Sequence, residues 1–161
     1  MKDVYLLLGS NMGDSAGTLD EAASLIEEQL GRITRKSSLY KTEAWGMDGR
    51  YFLNQALVLS TQLDVQEVLS TCKKTERLLG RKSRTSSNWE PRTIDIDILM
   101  YAELHTESSE LTVPHRALPM RRFALVPLAE IAGRVIHPVF KKSIAEMLRA
   151  CDDQHEVEMV I

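Results

Sequence analysis

Little in this sequence marks it for the large classes that composition alone can identify. Its 161 residues include only two cysteines, Cys72 and Cys151. They stand far apart and outside any metal-ligand spacing, so neither a disulfide scaffold nor a cysteine-based metal centre is indicated. Both fall on helical patterns, where buried, reduced thiols are expected. Long apolar runs are missing as well. The N-terminal stretch Val4-Tyr5-Leu6-Leu7-Leu8 is too short for the apolar part of a signal peptide and far too short to span a bilayer. A cytoplasmic location is the default expectation. Positive charge is not in surplus: the formal net charge is −3 and the pI is near 5.8, the reverse of a general nucleic-acid binder. No internal repeat or low-complexity tract occurs. Gly9 and Gly13 are not followed by Gly-Lys-Ser/Thr, which argues against a P-loop NTPase. Protein-kinase signatures are absent, and the chain is too short for that fold.

What is present is an ordinary globular composition, 43% hydrophobic and 27% charged, in a chain whose length suits one domain over 1–161. Its most telling segment is Thr93-Ile94-Asp95-Ile96-Asp97-Ile98-Leu99-Met100, which reads as a buried strand carrying two acids. Side chains alternate along a strand, so Ile94, Ile96 and Ile98 face one way and both carboxylates the other. Two carboxylates roughly 7 Å apart at Cα on so apolar a strand repel each other and lose hydration. A divalent cation relieves both problems, and hard Mg²⁺ takes carboxylate oxygens while keeping room for phosphate. The plainer alternative is a half-exposed strand with two solvated acids. The preceding segment carries Arg81, Lys82, Arg84 and Arg92 against a single Glu90. It is polar, rich in serine and aperiodic, hence a long loop. Guanidinium forks match phosphate oxygens, so several arginines beside a metal site point to a polyphosphate. Standing alone, the same loop would read as a solvated linker.

Hydrophobic periodicity supplies a coarse map. A strand over 4–8 ends in the turn-rich Gly9-Ser10-Asn11. Leu19, Ala22, Ala23, Ile26 and Leu30 recur at helical spacing, with Thr18 and Glu21 placed for a capping box and Gly31 at the stop. A polar outer strand over 33–42 and a strongly apolar strand over 52–62 follow. Asp64 and Glu67 cap a second helix whose apolar face is Val65, Val68, Leu69, Cys72 and Leu79, closing at Gly80. The acidic strand completes a β-α-β-β-α-β order, which predicts an α+β fold with a ferredoxin-like core, an antiparallel sheet with helices on its faces. A segment Leu111-Thr112-Val113-Pro114-His115, a helix from near Pro119 to Ala132 and a short helix over 144–150 form a C-terminal helical and hairpin extension. Glu76 falls beside the buried stripe of the second helix, near the end where the macrodipole disfavours an acid. An ion pair with a nearby arginine and a direct role in nucleotide binding are both open to it.

Taken in order, Gly9-Ser10-Asn11, Tyr40 and Thr42, Phe52-Leu53-Asn54, Glu76, Gly80-Arg81, Trp89-Glu90-Pro91-Arg92-Thr93-Ile94-Asp95-Ile96-Asp97, Leu111-Thr112-Val113-Pro114-His115 and Arg121 with Phe123 resemble the 6-hydroxymethyl-7,8-dihydropterin pyrophosphokinase family of folate biosynthesis. The match spans nearly the whole chain, and a P-R-T-x-D-x-D run followed by V-P-H is specific. The resemblance implies transfer of a pyrophosphoryl group from ATP to the pterin hydroxymethyl oxygen, with release of AMP. It implies two Mg²⁺ ions held by Asp95 and Asp97, with Asp97 also helping to accept the hydroxyl proton. Arg81 and Arg92 would act with Asp97 in catalysis. ATP would be bound by Glu76, Arg84, Trp89, Ile98, Leu111, Thr112, His115 and Arg121. The pterin would be sandwiched by Phe52 and Phe123 and read by Asn54, with Thr42, Trp45 and Asp95 completing its site. Trp89 would ride on a lid that orders with ATP. The implied partners are these two small molecules, with no nucleic acid or membrane, and a monomer is expected.

The chain departs from the family pattern in four places. Glu90 stands where glycine is common, Phe52 where tyrosine is frequent, and Glu43-Ala44-Trp45 where a proline-containing run is usual. The loop from Arg81 to Trp89 is also slightly longer. Two other readings share parts of the pattern. Palm-type nucleotidyl transferases and cyclases also carry strand-borne aspartates with two metals. RRM-like binding modules share the strand order, but need paired aromatics on a basic sheet, and no such pattern is visible.

Overall fold

The computed structural model describes residues 1–11, 14–43, 51–80 and 94–160. Its central strand is β1 (Lys2–Ser10), the Leu-rich N-terminal segment. β1 pairs antiparallel on one side with β4 (Tyr51–Thr61) and on the other with β5 (Asp95–Tyr101). Helices α1 (Ser15–Gln29) and α2 (Val65–Leu78) provide the two crossovers. The sheet order is β5-β1-β4-β3-β8, with β2 also on β4, where β2 is Arg32–Lys36, β3 is Leu39–Glu43 and β8 is Glu158–Val160. Without β8 this is the ferredoxin-like arrangement that the element order predicts.

Alternation along β1 divides the core in two. Leu6 and Leu8 point to the α1/α2 face, where they pack with Leu57, Leu59, Ile96 and Ile98. Tyr5 and Leu7 point the other way and join Ala56 and Val58 under α3 (Arg122–Ala132) and α4 (Ile144–Ala150). On β5 the register shifts by one residue against Tyr5 and Leu6. Leu99 and Met100 consequently both join the α3/α4 side, while Tyr101 returns to the α1/α2 side.

Several local expectations need correction. The strand expected over 33–42 is two strands, because the chain breaks at Ser37 and Ser38. Ser37 Oγ accepts from the Ala56 N–H at 2.9 Å and Ser37 N donates to the Ala56 carbonyl at 2.9 Å, so β2 and β3 share β4 end to end. Helix α1 starts earlier than Thr18: Asp14 is the cap, its carboxylate accepting from Gly17 N at 3.1 Å. Thr18 lies inside the first turn and its hydroxyl donates to the Asp14 carbonyl at 2.9 Å. Gly31 does end that helix, with φ +146°, where a Cβ would lie 2.1 Å from the Ser60 carbonyl oxygen. The capping box on α2 forms as expected, with Glu67 N donating to Asp64 Oδ1 at 2.8 Å. The helix expected from Pro119 is a 3₁₀ turn over Leu118–Met120 followed by α3 from Arg122. The hairpin of β6 (Thr106–Glu107) and β7 (Thr112–Val113) leads into a cis Val113–Pro114 bond. The short pairing of β8 on β3 was not foreseen. Cys72 is buried as expected, but Cys151 is only half-buried, and both are free thiols.

Candidate active site

Sheet register assembles the site. Residues directly opposite each other on antiparallel strands project to the same face, and one row across the sheet runs Asp95, Gly9, Asn54, Tyr40. The adjacent row runs Asp97, Leu7, Ala56. Both carboxylates therefore stand on the α3/α4 face, half-buried, with Ile96 buried between them on the opposite face. Gly9 is small for a reason: a Cβ there would lie 3.0 Å from Asn54 Oδ1.

A cavity of about 620 Å³ opens on this face. Asp95 and Asp97 line it from β5, and Thr42, Phe52 and Asn54 line it from β3 and β4. Arg121 and Phe123 face it from the start of α3, with the Arg121 Cζ 5.5 Å from the centre of the Phe123 ring. Asn54 is buried and donates through Nδ2 to Thr42 Oγ1 at 3.1 Å, which turns its carbonyl oxygen toward Gly9 and the cavity. Helix α3 is fastened to the sheet at its far end. Glu130 accepts from Ser38 N at 3.0 Å and from the Tyr40 hydroxyl. Arg35 Nη1 donates to the Ile131 carbonyl at 2.9 Å. Burial, reinforced by Glu130, pushes the Tyr40 phenol up to about 12, so Tyr40 remains a donor at any ordinary pH.

Other expected site residues take distinct places. His115 follows β7, its N–H donating to the Leu99 carbonyl at 2.9 Å, while its Nδ1 accepts from Ala117 N at 3.1 Å. That contact puts the ring proton of neutral His115 on Nε2. Burial, helped by the Arg121 charge and opposed by Asp97, holds His115 below its usual range, so it is a neutral donor at pH 7. Thr112 is half-buried on β7. Ile98 and Leu111 put their side chains into the α1/α2 core. Glu76 makes a contact that neither sequence alternative named. It is buried, and its Oε2 accepts from the Ile96 backbone N–H at 2.8 Å. β5 is a sheet edge, so the outward N–H between the two aspartates needs a partner, and α2 supplies it. Arg81, Arg84, Trp89 and Arg92, the lid and Trp45 lie outside the described residues.

Sequence reasoning missed Asp153 and His155, which also line the cavity. They lie in a polar tail without periodicity, and contacts distant in sequence bring them to the site: the pairing of β8 with β3 and the Arg122 N–H donating to Asp153 Oδ2 at 3.0 Å.

Residues 5–133 match the family described as 7,8-dihydro-6-hydroxymethylpterin-pyrophosphokinase (HPPK). The chain belongs to this family. A 2-amino-4-hydroxy-6-hydroxymethyldihydropteridine pyrophosphokinase of Aquifex aeolicus is 43% identical over 147 residues, covering 91% of this chain and 90% of that protein. The Bacillus subtilis protein of the same name is 38% identical over 133 residues, covering 81% and 78%. The structure of Plasmodium falciparum HPPK-DHPS with pteroate superposes with a TM-score of 0.75 at 16% identity, over 92% of this chain and 44% of that one, a likeness of fold. Membership in the family removes the palm-type and RRM-like alternatives.

Proposed function

We propose that this chain transfers the pyrophosphoryl group of ATP to the hydroxymethyl oxygen of 6-hydroxymethyl-7,8-dihydropterin, releasing AMP and giving the pterin pyrophosphate used in folate biosynthesis. The observation that carries this reading is one cavity joining Phe52, Phe123, Asn54 and Thr42 to the Asp95–Asp97 pair. A flat heterocycle with amide-like edges suits the two rings and the Asn54 carbonyl. Its hydroxymethyl arm then points along the sheet toward the acids.

The donor set fits Mg²⁺. Asp95 and Asp97 offer hard oxygens, and no group of three or more His, Cys, Asp or Glu suited to a metal occurs among the described residues. Asp95 and Asp97 would hold such an ion while leaving room for water and phosphate oxygens, which suits Mg²⁺. When bound, two such ions would neutralise charge on the transferred and leaving phosphates. In the reaction the hydroxymethyl oxygen bonds to the β-phosphorus as the bond from that phosphorus to the AMP oxygen breaks, and the hydroxyl proton leaves. Asp97 is the candidate to accept that proton. Arg121 and the Nε2–H of neutral His115 are suited to the triphosphate, and Arg81, Arg84 and Arg92 are assigned to the same charge by the family motif. Ile98, Leu111 and Thr112 would contribute backbone or hydroxyl contacts to the nucleotide. Backbone groups near Trp45 would complete the pterin site, and Trp89 would fold over it on the lid. The chain is taken to act as a single cytoplasmic domain and a monomer. Among the described residues, no helix is long and apolar enough to cross a membrane.

Incubation with ATP, Mg²⁺ and hydroxymethyldihydropterin tests the assignment. AMP should form mole for mole with pterin pyrophosphate. ADP as the main nucleotide product, or no pterin-dependent turnover, would overturn it.

A further inference from the structure

Helix α3 starts without a cap of its own. Asp14, Asp64 and Ser143 accept backbone N–H groups at the starts of α1, α2 and α4. At α3 the cap position is Arg121, whose side chain caps nothing, and the first turn holds no acid. Two arginines, Arg121 and Arg122, stand where the macrodipole favours negative charge. The acceptor comes from elsewhere in the chain: Asp153, in the tail after α4, accepts from the Arg122 backbone N–H through Oδ2 at 3.0 Å. Its other oxygen, Oδ1, accepts from the His155 backbone N–H at 3.0 Å, and the Asp153 side chain is only 13% exposed. The tail then pairs as β8 with β3, Met159 opposite Tyr40 and Glu158 opposite Lys41. Glu130 ties the last turn of α3 to the same stretch, through Ser38 N and the Tyr40 hydroxyl. Both ends of α3 are thus moored to one region of the sheet, the first through the tail and the second directly.

The residue that Asp153 holds lies between Arg121 and Phe123, the two side chains that line the cavity from the start of α3. These are also the groups to which the proposed chemistry gives the triphosphate and the pterin. A helix start whose N–H groups lack an acceptor frays readily. Fraying there would release both side chains at once, and ordering them again on binding costs affinity. We propose that Asp153 is a positioning residue, a cap supplied by the C-terminal tail that holds the start of α3 and so sets Phe123 for the pterin and Arg121 for the triphosphate. The inference rests on the pterin and ATP reading of this cavity, and it needs no contact between Asp153 and either ligand.

The test compares Asp153→Ala and Asp153→Asn with the parent protein, and repeats Asp153→Ala in a Phe123→Leu background. Affinities for hydroxymethyldihydropterin, and for a non-hydrolysable ATP with Mg²⁺, are measured well below the melting temperature of each variant. Asp153→Ala should weaken both about fivefold, the scale of a lost helix cap. Asp153→Asn should recover most of that loss, because its amide oxygen can still accept from the Arg122 N–H. In the Phe123→Leu background, Asp153→Ala should change pterin affinity by less than about twofold, because the ring through which the cap acts is gone. The nucleotide loss should persist there, since Arg121 is untouched. Unchanged affinities in Asp153→Ala, whatever its melting temperature, would overturn the proposal and leave a merely structural tether. Full additivity with Phe123→Leu on pterin would also overturn it, making Asp153 a direct ligand contact. So would a loss that Asp153→Asn fails to recover. A parent protein that binds neither ligand would overturn the reading of the cavity itself, and this inference with it.

Discussion

The two faces of one sheet have opposite fates. On the α1/α2 face, Leu6, Leu8, Leu57 and Leu59 are fully buried, and two amphipathic helices close over them. On the α3/α4 face the same strands contribute Tyr5, Leu7, Ala56 and Val58, but the apolar cover stops short. Beside Leu7 stands Asp97, and beyond it come Gly9, Asn54 and Asp95, where the cavity opens. Strand alternation gives each face its own vocabulary, so one can be sealed for stability while the other stays polar for chemistry. Glu76 links the two. It sits on α2, on the sealed side, and holds the backbone between the two acids of the open side.

That contrast can be broken most sharply at the open face. Asp97→Ala should lower the rate of AMP release by about 10³-fold or more, since it removes a carboxylate from the proposed metal seat. The melting temperature should hold or rise, because the remaining acid loses a repulsive neighbour. Near-normal turnover would move the metal site elsewhere. Leu57→Ala should do the reverse, destabilising the protein by about 2–5 kcal/mol in urea unfolding while leaving the pterin affinity of the folded protein intact. Glu76→Ala should trespass on both faces. It leaves the Ile96 N–H buried without an acceptor, a cost of about 1–3 kcal/mol, and it should also weaken Mg²⁺-dependent turnover by loosening β5. A stability loss with unchanged Mg²⁺ dependence would confine Glu76 to the sealed side.

The smallest effect concerns pH. Burial raises the Asp153 carboxyl, but the hydrogen bonds from His155 and Arg122 outweigh it, and the net shift is below the ordinary 3.8. A carboxyl depressed in the folded state stabilises the protein above its unfolded pKa, and that contribution is lost as pH falls through the lower folded value. Acid unfolding below about pH 4 should therefore be less steep in Asp153→Asn than in the parent protein. Identical acid transitions would show that the tail tether contributes no stability.

Most of the ferredoxin-like core was legible because its signals are local. β1 and β4 are apolar runs of ordinary strand length, the α2 capping box is a four-residue pattern, and alternation alone orients Asp95 and Asp97. What escaped is set by contacts distant in sequence. The break at Ser37 depends on its hydroxyl meeting Ala56 on another strand. β8 has three residues, too few for a period to register, and its partner lies more than a hundred positions away. Glu76 looked misplaced in its own helix because its acceptor role is defined by the edge of β5, which no helical pattern encodes.

The row through Gly9 has a geometric consequence. Asn54 and Asp95 are each one strand away from β1, so their backbones are separated by two inter-strand spacings, about 10 Å. Backbone hydrogen bonds fix that span, and side-chain motion adjusts it little. The sheet acts as a ruler laid between the group that reads the heterocycle and the group that handles phosphate. A substrate whose arm is one carbon longer or shorter would bind with one end out of register, however well its ring stacked.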